Sequence, residues 1–335
     1  MTTDHSMTRR AAIVAMAGAG GLMHRPAAAA GTAAAANGAP TVKSPLGFRP
    51  PPGSCDCHVH VFLDTAKYPY SEKRVYTPPL ATAADLLALQ RALHMDHVVI
   101  VTPSVYGSDN SATLAGMKEL GTRRARGVAV IDEKTSSAEM DAMVKAGIRG
   151  IRINLETTGV TDPDASAKQL DAMVAKIAGR PWHMQMYARL SVIAPLKAKF
   201  MSLPMPVVFD HFAGADAALG PQQPGFDAVL DMVKSGKAYV KISGAYRASV
   251  AKPGYDDVAP LARALIAANP ARLVWGSDWP HPDSARVPGR KNTDPAPAQD
   301  VDDGRLLSLV GEWTQDAAIR KAILVDNPRR LYGFT

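Results

Sequence analysis

The feature that most limits what this chain can fold into is an alternation. From residue 54 onward, short apolar runs are separated by stretches long enough to form helices. The runs are "CDCHVHVF" (55–62), "HVVIVTPS" (97–104), "ARGVAVID" (125–132), "IRGIRINL" (148–155), "WHMQMYA" (182–188), "MPVVFDHF" (205–212), "AYVKISGA" (238–245) and "RLVWGSDW" (272–279). Each has the length and apolar content of a buried strand. Between them lie amphipathic segments such as "ATAADLLALQRALH" (81–94), "SAEMDAMVKAG" (137–147) and "DAVLDMVKSG" (227–236). Repeated strand–helix units predict an α/β fold with a parallel sheet, and eight of them predict a single-domain (β/α)8 TIM barrel over residues 48–335. A doubly wound open sheet is the weaker reading, because no G-x-G-x-x-G follows the first run.

The start of the chain stands outside this pattern. "MTRRAAIVAMAGAGGLMHRPAAAAG" has the pair Arg9-Arg10, a weakly apolar Ala/Gly/Met stretch and small residues suited to cleavage. Residues 1–30 are therefore expected to be a twin-arginine export signal that delivers the protein to the periplasm. Residues 31–47 are expected to be a flexible Ala/Gly/Pro linker. Losing residues 1–30 removes Arg9, Arg10, Arg25 and Asp4, so the formal charge of +7 becomes +5. That mild balance suits an anionic small molecule, and no basic block with interleaved aromatics suggests nucleic acid. No apolar run reaches the roughly 18 residues of a spanning helix, so no membrane association is expected once the leader is removed. Cys55 and Cys57 are the only cysteines and stand two apart on one strand, which is poor geometry for a disulfide between them. No oligomeric state follows from the sequence.

In a barrel of this type the chemistry lies at the C-terminal ends of the strands. Polar residues recur there. His58 and His60 end the first run, and Ser104 and Tyr106 follow the second. Arg152 and Asn154 share a face of the fourth, Gln185 and Tyr187 of the fifth, and Lys241 and Ser243 of the seventh. His211 ends the sixth run and Asp278 the eighth. Strict alternation would point Asp56, His58 and His60 to one face, with Cys57, Val59 and Val61 on the other. Two imidazoles on one face imply a shared task.

His-x-His on the first strand, His211 in "FDHFAG" and Asp278 in "WGSDWPHP" resemble the amidohydrolase superfamily. "YPYSEKRVYTPP" (68–79), "PSVYGSDN" (103–110), "RGIRIN" (149–154), "KISGAYR" (241–247) and "GSDWPHP" (276–282) narrow the likeness to its pyrone-dicarboxylate and sugar-acid lactonases. The resemblance covers roughly residues 50–335 and implies a (β/α)8 barrel that hydrolyses or isomerises a small carboxylated lactone. It assigns Asp278 as the base that activates water, with His58, His60 and His211 polarising the carbonyl. Opening a lactone needs those functions on general grounds: a polarised carbonyl, a nucleophilic water and a proton acceptor.

The likeness places Arg152, Asn154 and Arg247 where such enzymes hold substrate carboxylates, and a planar guanidinium suits a carboxylate. Tyr106 and Tyr187 are candidate donors to ring oxygens, and Ser104 is a weaker binding candidate. Members with two metals carry a Lys or Glu on strand four and a His on strand five. This chain has Arg152 and Asn154 on the fourth run, and on the fifth His183 stands near the start with Gln185 and Tyr187 nearer the rim; an arginine repels a cation, so a binuclear site is not expected. The pyrone lactonases work without metal, whereas some sulfolactone-hydrolysing relatives use one. No required cofactor is therefore expected, the alternative being one Zn²⁺ on His58, His60, His211 and Asp278.

The leading expectation is a hydrolase acting on a small anionic lactone. The alternatives are a lactone isomerase, a mononuclear-metal hydrolase or decarboxylase and, outside enzymes, an exported solute-binding barrel. The long segments 63–80 and 282–304 are candidates to close over the substrate.

Overall fold

The computed structural model describes residues 41–285 and 287–335. The expected export signal and residues 31–40 of the expected linker lie outside them.

The eight expected strands all form: β1 (Cys55–Val59), β2 (His97–Val101), β3 (Ala125–Ala129), β4 (Ile148–Asn154), β5 (His183–Tyr187), β6 (Val207–Phe209), β7 (Ala238–Lys241) and β8 (Leu273–Val274). They pair in parallel and in chain order. β8 returns to β1 through a parallel bridge between Val59 and Trp279, and the Cys57 N–H donates to the Trp275 carbonyl at 2.9 Å. The result is the (β/α)8 barrel.

Helix starts follow from local chemistry. Thr82 and Asp85 form a reciprocal capping box at the head of the helix Ala83–Ala92, and Ser136 and Glu139 do so for Ser137–Ala146. Such caps satisfy N–H groups that the first turn leaves without partners, and each is worth about 1 kcal/mol. The larger apolar core lies between strands and helices, with Val59, Ile100, Ile151, Met184 and Phe209 on the strand side. A smaller core fills the barrel below the site. It contains Cys55, Cys57, Val99, Val128, Val208, Tyr239 and Val274, closed by Tyr332 and Phe334 near the chain end.

Two features differ from the sequence reading. In β1 the register slips between Asp56 and Val59, because three steps on β1 match two on β2. This bulge breaks the alternation. Asp56 leaves the histidine face and bonds to Ser277 and to Gln90 of the helix Ala83–Ala92, while Cys57 joins the inner core. The bulge keeps His58 and His60 together and frees them of Asp56. Gly276 makes room for it: a Cβ there would lie 2.7 Å from the His58 Cβ and backbone N. The second correction concerns the expected linker. From Thr41 it is anchored to the chain around the helix Asp303–Trp313, through Thr41 Oγ1 to Asp303, Lys43 N–H to Asp302 and Gly47 N–H to Ser308.

Candidate active site

The floor of the site is a buried polar network centred on Asp210, the residue directly after β6. Arg152 Nε donates to its Oδ2 at 2.9 Å and Gln185 Nε2 at 3.0 Å. Its Oδ1 lies 3.2 Å from His58 Nδ1 and 3.4 Å from Lys241 Nζ. Lys241 in turn donates to Gln185 Oε1 at 2.8 Å. Burial opposes ionisation of Asp210, but Lys241, His58 and Arg152 outweigh it and hold the carboxyl well below the usual range. Burial, reinforced by the neighbouring Lys241 charge, drives His58 well below an ordinary imidazole.

Above this floor, His58, His60 and His211 converge on one carboxylate oxygen. Asp278 Oδ1 lies 3.5 Å from His60 Nε2, 3.7 Å from His58 Nε2 and 3.8 Å from His211 Nε2. Each ring is held from its other side. His60 Nδ1 meets the Val101 carbonyl at 2.8 Å, and His211 Nδ1 meets Ser243 Oγ at 3.0 Å. His58 Nδ1 faces Asp210 and Lys241. Asp278 and His211 have φ of +66° and +46°, the left-handed region that side chains seldom adopt. Strain of this kind persists where the surroundings enforce it, typically at functional sites.

Asp278 is fully buried, yet its Oδ1 and the facing His58 Nε2 have no hydrogen-bond partner. Buried polar atoms are almost always paired, so this pair of orphans marks a place built to receive another atom. The opposite oxygen, Oδ2, is fully engaged by the Tyr246 hydroxyl at 2.6 Å and by Arg247 Nε at 2.5 Å. Burial alone would raise the Asp278 pKa. The Arg247 guanidinium above all reverses this and keeps the carboxyl well below its ordinary value. Burial also lowers His211 to about 4. The site therefore presents an ionised carboxylate beside neutral imidazoles at His58 and His211.

The donor set also fits a single divalent cation. His58, His60 and Asp278 form one group whose ligand atoms lie within 4.8 Å of one another, and His211 Nε2 adds a fourth atom near Asp278. Zinc takes such N/O sets, and imidazoles held at their second nitrogen are the usual ligands.

The cavity over these groups is small, about 20 Å³, and is lined by His60, Ser104, Arg152, Asn154, Tyr187 and Arg247. Most of the expected binding residues thus meet in one place. Their side chains are partly committed. Asn154 Oδ1 caps the turn Leu155–Thr158 by accepting from the Thr157 N–H. The Tyr187 ring stands edge-on to His211 at 4.9 Å and under Arg152 at 5.4 Å. Tyr106 is the exception. Its hydroxyl accepts from the Leu63 N–H and its ring packs on Tyr70, so it braces the loop after β1 and does not line the cavity. Tyr76 from that loop lines the cavity instead, together with Ser104. The two long segments brace each other, since Thr77 Oγ1 donates to the Asn292 carbonyl and the Ala296 N–H to the Thr77 carbonyl.

The matched sequence agrees with this geometry. Residues 55–334 match the amidohydrolase family. The chain belongs to that family. Among its relatives, this amidohydrolase is 35% identical over 296 residues to a 4-sulfomuconolactone hydrolase of Rhizobium radiobacter, covering 87% of this chain and 93% of that one. It is 33% identical over 295 residues to a 2-pyrone-4,6-dicarboxylate hydrolase of Comamonas testosteroni, covering 85% and 92%. A crystal structure of an Agrobacterium tumefaciens protein in its apo form superposes with a TM-score of 0.72 at 27% identity, covering 87% of this chain and 99% of that one. The family match and these relatives make the amidohydrolase described here an enzyme.

Proposed function

We propose that this amidohydrolase opens a small anionic lactone by attack of water, with Asp278 as the base. The observation that carries the reading is the unpartnered Asp278 Oδ1, ionised, enclosed by three imidazoles and placed under a cavity with two guanidinium groups. Water fills the space between Oδ1 and the carbonyl carbon. Its oxygen forms the new C–O bond while its proton passes to Oδ1. The ring C–O bond then breaks and the departing oxygen takes that proton, giving a hydroxyl and a carboxylic acid that releases its own proton to solvent to become a carboxylate. The depressed pKa makes Asp278 a weaker base than an ordinary carboxylate but keeps it ionised throughout the working pH range.

His58 Nε2 and His211 Nε2 face the region where charge develops on the carbonyl oxygen, the place where fixed dipoles contribute most, whereas His60 gives its Nδ1–H to the Val101 carbonyl and turns the other ring nitrogen to the site. Arg247 uses Nε on Asp278, and among the described residues neither of its terminal nitrogens has a protein partner. It joins base and substrate carboxylate in one contact. Arg152, pinned by Asp210, offers the second cationic anchor for the anionic substrate.

One divalent ion held by His58, His60, His211 and Asp278 would, when bound, polarise the carbonyl as a Lewis acid. The reading needs no such ion. Arg247 already compensates the one anionic donor, which weakens the attraction for a dication, and the substrate's charge is met by guanidinium groups.

The direct test is product analysis after incubating purified protein with 4-sulfomuconolactone, 2-pyrone-4,6-dicarboxylate and D-galactarolactone. Ring-opened acid from one or more supports hydrolysis. A rearranged lactone with no net uptake of water replaces hydrolysis by isomerisation.

A further inference from the structure

A chain of buried groups runs from Asp278 away from the cavity and ends at the segment that precedes the barrel. Tyr246 donates to Asp278 Oδ2 at 2.6 Å. Behind it, His281 Nδ1 lies 3.2 Å from the Tyr246 hydroxyl, and His281 Nε2 lies 3.0 Å from Asp303 Oδ1. Asp303 Oδ2 accepts from Thr41 Oγ1, and the Asp303 N–H donates to the Thr41 carbonyl at 3.1 Å. Asp278, His281 and Asp303 have no exposed surface, and Tyr246 is 7% exposed. Polar groups so deeply buried are costly unless each is paired, and here every link is made.

The direction of the links matters. A phenol has one hydrogen, and Tyr246 commits it to Asp278. Its oxygen is then free to accept from His281 Nδ1 while His281 Nε2 donates to the Asp303 carboxylate, an arrangement in which the ring carries both hydrogens as an imidazolium paired with Asp303. His281 itself sits at φ +61°, and the Tyr246 and His281 rings meet edge-on at 5.2 Å. The backbone and the packing both hold the imidazole between phenol and carboxylate. The far end is fixed by the stretch 41–47, which resembles a linker in the sequence but is bonded to Asp302, Asp303 and Ser308.

We infer that Tyr246, His281 and Asp303, anchored by Thr41, are positioning residues for Asp278: they engage Oδ2 so that Oδ1 is the oxygen turned to the reaction. This rests on the assignment of Asp278 as the base. Arg247 grips the same oxygen from the cavity side, but Arg247 also serves the substrate. The Tyr246–His281–Asp303 chain is the part of the grip that substrate does not touch. It also gives the pre-barrel segment a role in catalysis, as the stop at the end of the chain.

The test uses full-length processed protein and the lactone that it turns over fastest among 4-sulfomuconolactone, 2-pyrone-4,6-dicarboxylate and D-galactarolactone. Steady-state kinetics and thermal melts are compared for Tyr246→Phe, His281→Gln, Asp303→Asn, Thr41→Val and Thr41→Ser, with Asp278→Asn as reference. Positioning predicts that kcat falls by about 10-fold or more in the first three, with KM within about threefold of the parent. Thr41→Val lies at the surface end, where a folding failure is least expected. It should lower kcat about threefold, and Thr41→Ser, which keeps the hydroxyl, should restore it. Parent kcat in His281→Gln and Asp303→Asn would overturn the proposal, as would losses of kcat that only track losses of Tm. An active Asp278→Asn would instead remove the base assignment on which it stands.

Discussion

Arg247 Nε donates to Asp278 Oδ2 at 2.5 Å, so the residue expected to hold substrate also holds the proposed base. The two are 31 positions apart and approach because each follows a neighbouring strand, β7 and β8, at the rim of the barrel. A pure substrate clamp would affect KM alone. This contact couples KM to kcat.

Arg247→Met is therefore expected to lower kcat as well as raise KM, with kcat/KM for a carboxylated lactone falling about 10²-fold. The KM effect should be much smaller on an uncharged lactone. Arg152→Met should act differently, because it strips a buried partner from Asp210. Breaking a buried ion pair from one side typically costs about 3–5 kcal/mol, so a marked fall in Tm is expected alongside the loss of activity. Equal kinetic effects of Arg247→Met on charged and neutral substrates would show that Arg247 does not read substrate charge.

Chelation separates the two electrostatic schemes open to the histidine cage. With Arg247 compensating Asp278, dialysis against a strong chelator is expected to leave kcat within about twofold of the untreated enzyme, with little metal found by elemental analysis. Activity abolished by chelation and restored by Zn²⁺ would assign His58, His60, His211 and Asp278 as metal ligands instead.

His183 gives a test of stability against pH that does not involve the reaction. It is buried beside Tyr332 beneath the site, neither ring nitrogen has a hydrogen-bond partner, and burial lowers it to about 3. An unfolded histidine titrates near 6.5, so between about 6.5 and 3 the unfolded state binds the extra proton. Stability is expected to fall as pH drops through that window, this residue contributing up to about 1.4 kcal/mol per pH unit. His183→Leu should flatten the slope by that share in urea melts taken from pH 7 to 5. An unchanged slope would mean that His183 is solvated in the folded protein.

The fold was legible because its signal is repeated: apolar runs alternating with amphipathic ones leave a trace wherever the chain re-enters the barrel. The bulge in β1 left none, since one extra residue in a ladder changes no composition, and Asp56 was consequently expected on the wrong face. His58, His60, Arg152, Arg247 and Asp278 were readable from their places at strand ends. Asp210, Tyr246 and His281 were not singled out, although each lies within three positions of a residue that was. Their roles come from partners such as Arg152, 58 positions from Asp210, and Asp303, 22 from His281. Tyr106 shows the reverse error. Its place after β2 suggested the cavity, but the turn Ser104–Tyr106 directs its hydroxyl to the Leu63 N–H.

Export is proposed from residues that precede the described chain. The pair Arg9-Arg10 ahead of a weakly apolar stretch predicts a shortened periplasmic form on cell fractionation. Arg9→Lys combined with Arg10→Lys should retain the protein in the cytoplasm. Normal export of the double variant would show that the pair is not the signal.

Asp278→Asn is the most direct probe of the central claim, because it keeps the side chain's shape and removes its capacity to take a proton. Single-turnover rates and substrate binding should be measured together on the lactone that the parent enzyme opens. The account predicts a loss of about 10²-fold or more in the chemical step with binding largely retained. Ring opening by Asp278→Asn at close to the parent rate would contradict it.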